Sequence, residues 1–309
     1  MLRTVLAWLF LSCLWGSTWM AIKIGLKDLT PLWLACGRLC IGLISLAIWT
    51  LRRRTKLPGD PRIWLLFGIT GILNFSTNHG LVFWAELHIS SGLAALLYTL
   101  LPLFGMVISH FYKRTETFTI GKLAGILLGI AGVAMIFRQQ LFTSDARSLA
   151  ACLAVLAAAL GVAVSGVLVK AHGTHLDTVQ LTTFQIAAGL LPLIAVAAIS
   201  EPLPNLTGIS FSSWAAMTHL GLLGTATGFM LSNWLLKVST VTMTQLIPIA
   251  ATLVAVILGS LVLHEPMNQG SLWGGSFIFI GLLVVQWHSR KRKIILPPAM
   301  PPICQVNAD

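Results

Sequence analysis

The sequence predicts an all-α membrane protein of ten transmembrane helices, arranged as two inverted five-helix repeats. Three observations lead there: an apolar composition, a succession of membrane-length apolar runs, and a weak internal repeat whose charge bias reverses. Hydrophobic residues make up 56% of the 309 positions and charged residues 9%, where a soluble domain carries about a quarter charged. Crossing the hydrocarbon core as a helix takes about 20 apolar residues. The chain is built almost wholly of such runs, with no room for a separate soluble domain between them.

Apolar runs and their breakers place helices near 5–25, 31–51, 64–86, 91–112, 120–137, 148–170, 178–199, 214–236, 240–263 and 271–288. The first has polar and aromatic punctuation (W-G-S-T-W) and no small-residue cleavage site after it, so it reads as a mature helix rather than a signal peptide. Before the second, D-L-T-P makes Thr30 the expected N-cap, with Pro31 in the first helical turn. Helices are the expected spanning form because each satisfies its own backbone hydrogen bonds where lipid cannot.

The net charge of +11 does not point to nucleic acid, because the basic residues stand at the ends of apolar runs. Fifteen fall on one side: Arg3; Arg52, Arg53, Arg54, Lys56 and Arg62; Lys113, Arg114 and Lys122; Lys170 and Lys237; Arg290, Lys291, Arg292 and Lys293. Three, Lys27, Arg138 and Arg147, fall on the other. By the positive-inside rule the rich side is cytoplasmic and holds both termini, which predicts a multi-pass protein of the inner (cytoplasmic) membrane. Cys13, Cys36, Cys40, Cys152 and Cys304 show neither metal spacing nor a secreted disulfide pattern.

Shifting the chain by 150 positions brings Gly71 onto Gly221, Thr77 onto Thr227 and Trp84 onto Trp234. A shift of 149 pairs Glu116 with Glu265, Gly121 with Gly270, Gly125 with Gly274 and Gly132 with Gly281; Pro102 and Pro248 need 146. An odd number of spans per half forces the second half to enter from the opposite face. The charges agree: the basic segment between spans two and three has an uncharged-to-acidic counterpart, S-E-P-L-P-N-L-T-G-I-S-F-S-S, between seven and eight. In inverted repeats of this kind, substrate sites lie near the midplane between the halves.

The opening L-W-G-S-T-W-M-A-I-K-I-G-L, then P-L-W-L-A-C-G-R-L, A-E-L-H-I-S-S-G-L-A-A-L-L-Y-T-L-L-P-L-F and the H-E-P after span nine resemble EamA-type members of the drug/metabolite transporter superfamily. The resemblance implies one repeat over 1–140, a second over 146–290 and a cytoplasmic tail over 291–309. It also implies a central cavity lined by spans one, three and four with their partners six, eight and nine. The implied activity is transport, often export, of small metabolites such as amino acids and related amphipathic compounds, with membrane lipid as surroundings. The chain departs from the family's uncharged pattern near the end of span three, where Glu86 and His88 stand.

Candidate substrate-binding residues follow from polar groups that hydrocarbon would penalise. Asn74 and Asn78, four apart, share a helix face, and burying an unpartnered amide costs about 2–7 kcal/mol. They either line a wet path or bond across helices. His79 is a substrate ligand, a proton carrier or a structural histidine. Tyr98 and Thr99 precede Pro102 as Thr244 and Gln245 precede Pro248, and helices interrupted at matching places in two halves point to a transporter site. Trp15 with Thr18 on span one offers an aromatic wall or simple packing, and Thr227 is the repeat mate of Thr77. Lys23 reads as snorkelling. Arg38 lies about 10 Å past Pro31 at ~1.5 Å per residue, where an ionisable group is a functional candidate.

All nine acids, among them Asp28, Glu86 and Glu201, fall in loops or near span ends. No mid-membrane carboxylate offers a proton or sodium relay, so the expectation is equilibration of a neutral or zwitterionic solute by alternating access, with proton carriage by His79 or Glu86 as the alternative. No cofactor or metal is expected, and no phosphate-binding loop is present. A membrane enzyme built on Ser165 and His79 lacks the G-x-S-x-G context. A non-transporting receptor or scaffold is the third reading. Gly121, Gly125 and Gly129, with Gly270 and Gly274, suit close helix packing, within the chain or in a homodimer.

Overall fold

A computed structural model describes residues 2–53, 57–113, 119–143, 146–239, 244, 247–262 and 269–290. The described residues contain helices and no strand. The first half has α1 (Leu2–Gly25) and α2 (Pro31–Arg53), then α3 (Pro61–Gly71), which continues through a π-helical segment (Ile72–Thr77) into α4 (Asn78–Ala85). Next come α5 (Ser91–Tyr98), α6 (Leu101–Lys113) and α7 (Ile120–Thr143). The second half repeats the plan. It begins with α8 (Ala146–His172) and α9 (Thr178–Ser200), and α10 (Phe211–Thr218) then runs through a second π segment (His219–Thr227) into α11 (Gly228–Val238). It ends with α12 (Ile247–Val262) and α13 (Gln269–Arg290).

Five stretches, Leu2–Gly25, Pro31–Arg52, Ser91–Tyr112, Ala146–His172 and Thr178–Ser200, are long and apolar enough to cross a bilayer. The distribution of side chains reverses that of a soluble protein. Ile120, Ile199 and Phe211 lie almost fully exposed, while Arg38, Glu86, Gln180 and Gln185 are buried. Such an apolar exterior matches a hydrocarbon solvent, and the chain is a multi-pass membrane protein.

Loop side chains set the helix starts. Asp60 accepts from the Arg62 N–H at 2.8 Å with Pro61 in the first turn of α3, and Asp177 accepts from Val179 and Gln180, each at 3.0 Å. At α2 the sequence expectation fails. The Thr30 hydroxyl has no partner among the described residues. The Glu201 carboxylate, reaching over from the end of α9, accepts instead from Leu32 (3.1 Å) and Trp33 (3.2 Å). A carboxylate meets both the orphan N–H groups and the positive end of the helix dipole, which a hydroxyl cannot do as strongly.

The halves pack through a reciprocal pattern. α1 lies against α12 as α8 lies against α5 and α6; α2 lies against the second π segment as α9 lies against the first; α7 and α13 pair with each other. An exchange of this kind is what a two-fold relation between the repeats produces. Equivalent glycines sit at the crossings. A Cβ on Gly71 would overlap the Gln185 carbonyl, and one on Gly221 would stand 2.9 Å from the Arg38 carbonyl and 2.6 Å from Ile41 Cβ. The glycines of α7 and α13 serve the same end within the chain, with a Gly281 Cβ falling 2.5 Å from the Gly125 carbonyl.

Lys23 does not snorkel. Its Nζ donates to the carbonyls of Glu86 (2.5 Å) and Ile89 (3.0 Å), closing the end of α4, and Lys170 does the same for Leu236 (2.6 Å) and Ser239 (2.7 Å) at the end of α11. The capped positions are 150 residues apart in both cases. Last-turn carbonyls carry the negative end of the helix dipole, so an ammonium is a favourable cap.

Gly71→Ala should lower stability by about 1–3 kcal/mol because backbone, not a flexible side chain, is in the way. Gly68→Ala, which meets nothing within 4 Å, should leave thermal unfolding in detergent unchanged or slightly raised. In the loop after α1, hydrogen bonds from the Ser210 and Ser213 hydroxyls and the Ser210 N–H hold the Asp28 carboxyl below its usual range. The sign follows: this contribution is present above the unfolded carboxylate value, near pH 4, and is lost as pH falls through the lower folded value. The acid limb of the melting-temperature profile should flatten in Asp28→Asn.

Candidate functional site

Where the two halves meet, α1, α2, the first π segment with α4, α5 and α6 enclose a cavity of about 120 Å³ together with α8, α11 and α12. That is room for several waters or one small solute. The wall contains Trp15, Thr18, Arg38, Asn74, Asn78, His79 and Tyr98 from the first half, and Ser165, Phe229 and Asn233 from the second. Aromatic rings form much of it. Trp15 faces Phe229 at 5.4 Å between centroids, Trp19 meets Tyr98 edge-on at 5.7 Å, and Phe229 also contacts His79 at 6.1 Å.

The π segments shape the polar part. Widening the turn moves hydrogen bonds from four residues back to five, and such bulges recur at functional sites. The Asn78 N–H accordingly donates to the Leu73 carbonyl, and the Thr225 hydroxyl to Leu220 at 2.9 Å. Residue 74 then offers one carbonyl to two side chains, Asn78 Nδ2 at 3.2 Å and His79 Nδ1 at 3.1 Å. A carbonyl only accepts, so Nδ1 carries the proton. His79 Nε2 is left as the ring's acceptor, without a hydrogen-bond partner among the described residues. Tyr98 donates to Asn78 Oδ1 at 2.9 Å, tying α5 to α4. The Asn74 side-chain oxygen is buried and has no partner among the described residues.

Three side chains of the first half reach the second π segment. Trp15 Nε1 donates to the Gly224 carbonyl at 3.1 Å, Ser17 hydrogen-bonds His219 at 2.9 Å, and Arg38 Nε donates to Thr225 Oγ1 at 2.8 Å. Arg38 is 4% exposed, a cation buried inside the bundle. Its Cζ lies 5.7 Å from the centre of the Phe83 ring. Among the described residues it has no carboxylate partner, and its Nη groups donate to nothing.

Not every candidate faces the cavity. Thr99 is buried outside the lining, with its hydroxyl donated to the Leu96 carbonyl at 2.6 Å. Thr227 also stands outside, donating to Leu222 at 3.0 Å. Gln245 falls outside the described residues. Ser165 donates to the Thr70 carbonyl at 3.4 Å, and no hydrogen bond joins it to His79, so the two form no nucleophile–base pair. Sequence reasoning passed over Phe83, Phe229 and Asn233, which line the cavity. It also missed Gln185, whose Nε2 donates to Thr70 at 2.8 Å and whose Oε1 accepts from Asn233 at 3.1 Å. A usable signal was present: a shift of 147 carries Arg38 onto Gln185, and one of 150 carries Phe83 onto Asn233.

The EamA-like transporter family model matches residues 3–138 and again 149–287. The chain belongs to the EamA-like transporter family. Over 294 residues this EamA-like transporter is 26% identical to the uncharacterized transporter YoaV of Bacillus subtilis (strain 168), covering 95% of this chain and all of that protein. It is 27% identical over 287 residues to protein PecM of Dickeya dadantii (strain 3937), covering 91% and 93%. It is 26% identical over 290 residues to a probable terminal-alkyne amino-acid exporter of Streptantibioticus cattleyicolor, covering 90% and 92%. A protein of known crystal structure shares the fold with a TM-score of 0.71 at 20% identity, over 94% of this chain and 98% of that one.

The Tyr98–Asn78 bond offers a direct check of the wall. A double-mutant cycle of Tyr98→Phe and Asn78→Ala, read by thermal unfolding in detergent, should return a coupling of about 0.6–1.7 kcal/mol.

Proposed function

We propose that this EamA-like transporter crosses the inner membrane ten times with both termini cytoplasmic, as inverted repeats over 1–140 and 146–290, and exports small neutral or zwitterionic metabolites such as amino acids. The movement is alternating access: the halves rock about the shared cavity, each state favoured only as far as its contacts with solute differ. The observation that carries this reading is the cavity itself, to which α1, α4 and α6 of one half and their repeat mates α8, α11 and α12 of the other all contribute. A relative named as a probable amino-acid exporter supports the solute class. The positive-inside count supports the orientation.

Substrate binding is assigned to Trp15, Thr18, Arg38, Asn74, Asn78, His79 and Tyr98, the candidates that line the cavity. Thr99 and Thr227, which stand outside the lining, are not carried forward, and Gln245 stays a candidate outside the described residues. Transport is read as needing no obligatory proton, a reading supported by a lining whose described residues include no carboxylate.

Purified protein in liposomes should exchange labelled apolar amino acids with or without a pH gradient. Trp15→Ala should cut the initial rate by about tenfold or more, since a buried aromatic wall is worth roughly 1.5–3 kcal/mol. Strict gradient dependence that disappears in His79→Gln would replace facilitation with proton coupling. Absence of flux for every amino acid tried would defeat the solute assignment.

A further inference from the structure

The second half shows what the Arg38 position becomes when its polar needs are met. Gln185, the repeat mate, is fully buried in a closed network: it donates to Thr70, accepts from Asn233, and Asn233 donates onward to Thr182 at 2.8 Å. Arg38 occupies the same place on α2 and is also buried, yet one Nε–H to Thr225 and the face of Phe83 are its partners among the described residues. A guanidinium has five N–H donors. The remaining four belong to a group in the cavity wall. Among the described lining residues, Arg38 alone carries a formal charge.

A desolvated cation without a counterion is costly, and a planar fork of free N–H groups fits a carboxylate in bidentate geometry. Acceptors stand elsewhere in the same wall. His79 Nε2 is the free ring nitrogen once Nδ1 has donated to the Asn74 carbonyl, and the Asn74 side-chain oxygen is buried without a partner among the described residues. His79 and Arg38 flank one ring, Phe83, at 5.8 and 5.7 Å. The rest of the wall near them, Trp15, Trp19 and Phe229, is aromatic.

The geometry points to a carboxylate receptor: Arg38 takes the carboxylate of the transported solute, neutral acceptors at His79 and Asn74 take its ammonium, and the aromatic wall takes an apolar side chain. This rests on the transport reading above and narrows it. Solutes with a free carboxylate and an apolar or ring-bearing body are bound, whereas organic cations, which bring a second positive charge into the cavity, are rejected. Asymmetry between the repeats is what puts the charge, among the described lining residues, in one half only.

The test compares ligands that differ by one group, using the wild-type protein in detergent (thermal protection) and in liposomes (counterflow). L-Phenylalanine and L-leucine should protect and exchange; L-phenylalaninamide, L-leucinamide and phenethylamine should bind about 10- to 100-fold more weakly, the worth of one charge-assisted contact. Arg38→Gln should abolish that preference, and Arg38→Lys should keep part of it. Equal binding of acid and amide in the wild type overturns the receptor while leaving transport in place, and it needs no variant to fold. Preference for the acid that survives in a folded Arg38→Gln variant overturns the assignment to Arg38. 3-Phenylpropionate binding as tightly as phenylalanine removes the ammonium acceptors from the proposal. A result of neither protection nor flux with any of these compounds defeats the amino-acid solute assignment on which the receptor rests.

Discussion

Everything in this structure answers to one constraint: hydrocarbon supplies no hydrogen bonds. Backbone groups must be satisfied within helices, and polar side chains must find each other or a cavity inside the bundle. The π segments show how narrow the choices are. Each widens a helix at its polar stretch and redirects its carbonyls, and each redirected group meets a side chain: Asn78 and His79 on the first, Trp15 from the other half on the second. The same pressure explains the paired lysines, whose ammonium groups close helix ends instead of reaching for headgroups.

Packing between the halves is nearly symmetric, and the chemistry is not. Gly71 and Gly221 permit equivalent close crossings, and Lys23 and Lys170 cap equivalent turns. Arg38 and Gln185 break the equivalence, as do Phe83 and Asn233. A duplicated scaffold is free to diverge at positions that do not hold the crossing together. Among the described residues the divergence leaves a cation and unpartnered acceptors on one side of the cavity and a closed amide network on the other. A transporter needs a site whose contacts are incomplete without its solute, and the proposed carboxylate site draws on this asymmetry.

Much of the fold was legible in the sequence, because span length and apolar composition are local properties. Helical content, the membrane environment and two repeats of one family follow from them, and proline chemistry adds the interruption before Pro102, where α5 ends at Tyr98 and α6 begins at Leu101. Local reasoning failed where the partner came from far along the chain. Thr30 looks like the cap of α2, but Glu201, 169 positions from Leu32, does the capping. Thr99 departs for a local reason instead: it neighbours Tyr98, but its hydroxyl is donated back to the Leu96 carbonyl three residues earlier.

By itself, the sequence determined that the chain would fold as helices in lipid, that it was duplicated, and which polar residues could not be left facing hydrocarbon. Tertiary structure decided which of those residues satisfy one another and which remain open to a cavity. The physical reason is reach. Propensity and hydropathy act over a turn or a span, whereas Arg38 with Thr225, Trp15 with Gly224 and Gln185 with Thr70 are joined across 115 or more positions by the packing of two halves.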